Sequence, residues 1–317
     1  FHFEFVKKID FWRTKMMESR HGHPWVAPDR EVKKTATKKR LDIMERAWLH
    51  GGLSFRESFS DVLVSADSNE IMSEFIRQKI LKTVINPETA NTLLPKDHPF
   101  GTKRPPIDTN YFETFNRENV CLFDLRANPI KRCEENGIRF RDDTLITTDV
   151  IVFATGFDAM TGSIEKLNLR GKNGLKLSDK WNEGPETYLG LTVSGFPNLF
   201  TITGPGSPSV LTNMPRSIEQ HVDWISNLIN HMIHIGYAEV EADKSAARKW
   251  TSHVGDVANQ TLLPKANHSW YLGANIPGKP RVFMPYANGL NNYRIYCDKI
   301  AKRKYQGFVF KVSARLS

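Results

Sequence analysis

Cysteine is scarce: Cys121, Cys133 and Cys297 are far apart, odd in number and without a CxxC pair. That excludes a disulfide framework and a cysteine-rich zinc site, and it leads one to expect a reducing, cytoplasmic setting. No run of about 18 apolar residues occurs, so no membrane-spanning helix is expected. Neither GxGxxG nor GxxxxGK[ST] is present, and no nucleotide-phosphate fingerprint can be read from this chain. A nucleophile elbow with Ser, Asp and His in order is also lacking. The first residue is Phe1, and FHFEF has neither a basic n-region nor an apolar h-region, so more chain is expected upstream rather than a signal peptide.

What is present is the mix of a globular protein: 317 residues, 40% hydrophobic and 25% charged, enough for roughly two domains. The formal charge of +9 is concentrated at the ends. Residues 1–50 carry +5 and residues 291–317 carry +6, leaving −2 for the rest. EVKKTATKKR (Glu31 to Arg40) reads as a solvated connector, because a nucleic-acid module would interleave its cations with aromatics. No nucleic-acid partner is expected.

Residues up to about 100 have helical periodicity and no strand pattern. From about Asp67 to Ile85, Met72, Ile76, Ile80 and Val84 recur every four residues behind a capping-box spacing of Asp67 and Glu70, and Asn86-Pro87 ends the run. Further helices are expected over Phe3 to Arg20 and Lys39 to His50, the latter stopped by Gly51-Gly52. From Gly101 strands are expected instead: Asn119 to Leu125, Gly137 to Phe140, Asp149 to Phe157 and Asn198 to Thr203. The Asp149 run is apolar on successive positions, the pattern of a strand buried on both faces in an α/β sheet. The Asn198 strand leads into Gly204-Pro205-Gly206 and a helix from about Pro215 to Ile235. Its stripe is Ile218, Val222, Ile225, Ile229 and Met232, with Gly236 as terminator. The glycine turn either offers backbone N–H groups to a ligand at the sheet edge or simply makes the turn.

Three segments go beyond this general grammar: PFGTKRPPIDTNYFETFNRENV (Pro99 to Val120), DVIVFATGFDAMTG (Asp149 to Gly162), and GFPNLFTITGPGSPS with NMPRSIEQHVDW and SWYLGANIPGKPR. Together and in this order they resemble the second half of Baeyer–Villiger monooxygenases, the FAD- and NADPH-dependent enzymes that turn ketones into esters or lactones through a flavin C4a-peroxide. The resemblance implies an incomplete α/β flavoprotein with two dinucleotide-binding domains and a helical insert. Residues 1–100 would be the helical subdomain and the tail of the first NADPH segment, 101–150 the second NADPH segment, and 151–317 the second FAD segment. The GxGxxG of the FAD domain and the family's FxGxxxHxxxWP are not in this chain. An upstream segment of the same protein is therefore an expected partner, beside the ketone and O2, and the chain by itself is expected to be inactive.

For the site, the resemblance assigns Arg104 to the peroxide and nicotinamide, Lys103 to the 2′-phosphate of NADPH, Trp270 to the nicotinamide ribose, and the backbone of Met214 to the pyrimidine end of the flavin. Ser209, Val210 and Leu211 would shape the ketone pocket. The chemistry agrees, since a fixed guanidinium aimed at developing negative charge is an effective device, and alternation along an extended segment sends Lys103 and Arg104 to opposite sides. Asp149 and Ala154-Thr155-Gly156 are expected to form a structural crossing between domains. His21-Gly22-His23 has no third ligand at metal spacing, and His221 reads as a core histidine. Two alternatives stand beside the ketone reading: a non-catalytic fragment acting as a basic interaction module, and a relative that oxidises nitrogen or sulfur. The KRPP…TFN segment favours the ketone-oxidising branch.

Overall fold

A computed structural model describes residues 6–25 and 27–312. Four helices of some length fall before residue 100: α1 (Ile9–Glu18), α2 (Thr37–His50), α3 (Ala66–Thr83) and α4 (Pro87–Leu93). Of the helix expected over Phe3 to Arg20, residues 6–7 and 9–18 are helical, and residues 3–5 lie outside the described ones. α2 stops where Gly51 takes φ +76°, a conformation that costs glycine little. α3 is capped by Ser65, whose hydroxyl accepts from the Ser68 N–H, an interaction of about 1 kcal/mol. The expected capping box is thus displaced: Asp67 sits inside the first turn and pairs with Lys33 at 2.7 Å. Met72, Ile80 and Val84 are buried as their spacing requires. Asn86 caps α4, with Pro87 at its start, so the residues that end α3 also begin the next helix.

The second part is more helical and less sheet-like than its sequence suggests. Three short strands, β1 (Ile130–Glu134), β2 (Gly137–Phe140) and β3 (Leu145–Thr147), form an antiparallel meander. After them come α5 (Met214–Ile235), β4 (Tyr237–Ala242), α6 (Lys244–Asn259), α7 (Leu290–Lys302) and β5 (Phe308–Val312), with β4 and β5 paired antiparallel. Among the described residues every strand pair is antiparallel, and the α/β sheet expected around the Asp149 run does not form. Gly137 to Phe140 is a strand as expected, whereas 119–125 is not, and Asn198 to Thr203 contributes only a single bridge from Phe200 to Thr192.

The largest departure is the run expected to be buried on both faces. Residues 150–157 belong to no strand, and Val150, Val152, Phe153 and Phe157 are 76%, 81%, 72% and 88% exposed. An all-apolar strand is buried only when neighbours flank it and layers cover it. Among the described residues nothing does either.

Among the described residues two smaller clusters, around Trp181 and around Ile80, stand beside two larger cores. Val32, Met44, Phe55, Phe59, Val62 and Met72 form one among the N-terminal helices. The other collects Trp224, Leu228, Val240, Trp250, Leu290 and Tyr293 from α5, β4, α6 and α7. The expected α5 stripe is only half right: Ile225 and Met232 are buried, but Ile218, Val222 and Ile229 are 38–44% exposed, and Trp224 and Leu228 take the inner face. α1 packs on α7 rather than on the other N-terminal helices.

Candidate functional site

Arg104 is set in place from the helical side. Asn69 lies on the inner face of α3, 2% exposed, and spends its whole hydrogen-bonding capacity there. Its Nδ2 donates to the Val62 and Phe100 carbonyls (2.8 and 2.9 Å), while its Oδ1 accepts from the Phe100 N–H (2.8 Å) and the Ser73 hydroxyl (3.1 Å). Thr102, fully buried, donates its hydroxyl to Pro99 O at 2.6 Å. The chain bends at Lys103, and Lys103 and Arg104 take different partners. Lys103 Nζ lies 3.8 Å from Asp97 Oδ2, and Arg104 Nη1 donates to the Val210 carbonyl at 3.0 Å. Arg104 is exposed, yet it is tied across 106 residues to the loop before α5.

That loop is itself braced by the segment after α1. The Asn213 N–H donates to His21 O at 2.8 Å. His21 Nδ1 lies 3.2 Å from Leu211 O; a carbonyl only accepts, so Nδ1 carries the proton. Arg20 Nη2 donates to Ala287 O at 3.0 Å, and the Leu290 N–H returns to Arg20 O at 2.8 Å. Two adjoining cavities result, of about 420 and 270 Å³. Both are lined by His21, Arg56, Glu57, Leu211 and Thr212. Arg104, Val210 and Tyr271 line the first; Arg20, Leu263 and Tyr286 line the second.

Electrostatics inside are set mainly by burial. It lowers the His21 and His23 pKa values, with Glu57 opposing in both cases, so both imidazoles favour the neutral form. It also disfavours the charged form of Arg20, to which the nearby Arg56 adds repulsion. Tyr271 is pushed up and stays a neutral phenol.

Of the residues expected from sequence, Arg104, Val210 and Leu211 come together on the first cavity. Ser209 does not line it: at φ +44° and 2% exposed, it turns its hydroxyl toward Met160 Sδ at 3.8 Å. Met214 opens α5, where Asn213 provides no side-chain cap and Pro215 follows. First-turn N–H groups are therefore available to an acceptor. Trp270 is half-buried and packs edge-on against Tyr271, which lines the cavity directly. The glycine turn has a structural role, for Gly206 N–H donates to Met284 O (2.7 Å) and Ser207 N–H to Gly204 O (3.1 Å). His221 is fully buried and its Nδ1 accepts from the Thr203 N–H at 3.0 Å; its Nε2 has no partner among the described residues, so it is a core histidine only half satisfied. Sequence reasoning missed Asn69, Arg56 and Glu57. Only Asn69 left a signal, as a polar residue on the apolar stripe of α3.

No family model matches the chain. It is 40% identical over 276 residues to a cyclohexanone 1,2-monooxygenase of Acinetobacter, covering 86% of this chain and 50% of that one. A Baeyer–Villiger monooxygenase of Pseudooceanicola batsensis is 40% identical over 273 residues, covering 86% and 49%. A phenazine N-monooxygenase of Lysobacter antibioticus is 38% identical over 279 residues, covering 86% and 50%. In fold, the chain superposes on a solved complex of OTEMO with FAD and NADP at a TM-score of 0.92 and 34% identity, covering 97% of this chain and 57% of that one. It spans about half the length of the curated relatives it matches. In sequence and in three dimensions, the chain matches the C-terminal portion of the Baeyer–Villiger monooxygenases.

Proposed function

We propose that the chain is the C-terminal part of an FAD- and NADPH-dependent monooxygenase that converts a ketone, O2, NADPH and a proton into an ester or lactone, NADP+ and water. The observation that carries this reading is the Arg104–Val210 bond, which holds a guanidinium over a cavity of about 420 Å³. Reduced by NADPH, FAD supplies the activation of O2 and the delivery of one of its atoms. The chain's residues fit such a group: the start of α5 has free N–H donors and no side-chain cap, suited to the pyrimidine end of a flavin at Met214. Arg104 stabilises the negative charge that develops on the carbonyl oxygen. Lys103 meets the 2′-phosphate of NADPH as a point charge, held ready near Asp97. Trp270 covers the nicotinamide ribose, and Val210 and Leu211 shape the ketone end.

In the same reading, residues 1–100 hold the helical subdomain, 101–150 belong to the NADPH domain and 151–317 to the FAD domain. The uncovered apolar run 150–157 supports an upstream segment as its cover, and Gly156, at φ +89°, has open space beside its Cα. Oxygen transfer to nitrogen is a second reading, favoured by the similarity to the phenazine N-monooxygenase. The test joins this chain to an upstream FAD-binding segment of the family type. Arg104→Ala is expected to abolish ester formation while NADPH still bleaches the flavin; ester made at the normal rate by that variant overturns the assignment, and oxidation of an amine but of no ketone selects the second reading.

A further inference from the structure

The shared wall of the two cavities contains a cation that the proposed reaction does not use. Arg56 sits half-buried on a short turn, Arg56–Ser58, and lines both cavities. Among the described residues it makes no hydrogen bond and no ion pair. The one carboxylate lining these cavities, Glu57, makes no hydrogen bond or ion pair with it; its Oε1 lies 3.9 Å from His21 Nε2, which carries no proton in the neutral ring. Arg20 is close enough for the two guanidiniums to repel each other. With His21 neutral, Arg20, Arg56 and Glu57 leave this wall with one uncompensated positive charge, apart from Arg104, which lines the first cavity with Arg56. A half-buried cation without a counter-ion is costly, and an anion beside the two guanidiniums would relieve both that cost and their mutual repulsion.

We infer that Arg56, backed by Arg20, recognises a carboxylate on the substrate, so that the preferred ketones are oxo acids: the carbonyl lies against Arg104 and the acid against Arg56. This rests on the monooxygenase reading above for the reaction, but not for the binding. A planar guanidinium suits a carboxylate because it can donate two parallel hydrogen bonds. Leu53 and Leu211 line the first cavity together with Arg56 and Arg104, an apolar wall suited to a short methylene chain. Glu57 limits the affinity by its own charge. A phosphate of NADPH shares this anionic chemistry, and the test separates the two sources.

The experiment uses the enzyme comprising this chain and its upstream FAD-binding segment, with 4-oxopentanoate and its methyl ester as probes. The acid is expected to be preferred over the ester at least tenfold in kcat/KM. Arg56→Gln is expected to lower that preference at least tenfold through KM, with kcat for the acid changed less than threefold. Arg56→Lys restores part of it, and Glu57→Gln lowers KM for the acid. KM for NADPH stays within twofold throughout. Calorimetry with 4-oxopentanoate is expected to show binding that Arg56→Gln weakens at least tenfold. Equal use of acid and ester by the parent enzyme overturns the inference, as does a rise in KM for NADPH with the preference unmoved. If calorimetry shows Arg56-dependent binding but neither probe is oxidised, the monooxygenase reading fails and the anion site stands; absence of binding to the parent enzyme overturns the site itself.

Discussion

Arg104 and Val210 are joined by one hydrogen bond of 3.0 Å, from a guanidinium nitrogen to a main-chain carbonyl. The contact links the segment leaving the helical block to the loop ahead of α5, so one side chain serves both as a latch and as a charge in the cavity. Lysine preserves the charge but not the fork that lets one nitrogen hold Val210 while another faces the cavity. Arg104→Lys is therefore expected to lower the rate of ester formation by about 10²-fold, the scale for losing one aimed donor at a developing anion. Stopped-flow reduction of the flavin by NADPH is expected to change far less. Loss of both to the same extent would mean that Arg104 serves cofactor binding alone.

Asn69 is the anchor behind that latch. Two of its four hydrogen bonds fix Phe100, four residues before Arg104, and the others hold Val62 and Ser73. Asn69→Ala leaves the Phe100 N–H and two carbonyls without their partner, and unmatched buried polar groups cost about 1–3 kcal/mol each. A loss of about 3 kcal/mol in urea unfolding is expected, together with slower ester formation. Asn69→Asp should be no milder, since a carboxylate cannot donate to the two carbonyls. An alanine variant with unchanged midpoint and rate would remove Asn69 from the positioning of Arg104.

How much of this could be read from sequence follows the range of the interactions. Helices α2, α3 and α5 were legible because their signals are local: a repeat of apolar residues, with Gly51, Asn86-Pro87 and Gly236 as stops. The 119–125 and 198–203 runs were misread because β-rich composition states only that a segment suits a strand, and a strand also needs a partner at the right register. Residues 150–157 show the same lesson in sharper form, with the composition of an inner strand and no described neighbour to make it one. At the site, Arg104, Val210 and Leu211 were found through an extended motif. Arg56 and Glu57 stand in no motif and join the cavity through tertiary packing alone.

The three thiols should separate cleanly by reactivity. Cys121 and Cys133 are exposed, whereas Cys297 is fully buried in α7, where burial pushes its thiol up to about 12. Only a thiolate attacks a disulfide reagent, so Cys297 is protected both by access and by protonation. Titration of the native chain with an aromatic disulfide reagent at pH 8 is expected to release two equivalents promptly and a third only on unfolding. Prompt release of three would contradict the packing of Cys297 against Tyr293 and Gln220.

His221 should impose an acid limit on stability. Burial lowers its pKa to about 4, and the geometry explains the direction: Nδ1 accepts from the Thr203 N–H, so protonation there would break that bond as well as bury a charge. In the unfolded chain the imidazole titrates near 6.5. Between the two values the unfolded state binds the proton and the native state does not, so stability rises with pH across this window and is lost as pH falls through it. A difference of about 2.5 units corresponds to about 3 kcal/mol at most. The Tm of the parent chain is expected to fall on going from pH 7 to pH 4.5. His221→Gln, which cannot titrate, should flatten that part of the profile even if its Tm at pH 7 is lower. A profile with equal slope in both proteins would assign the acid sensitivity to other groups and remove His221 from the account.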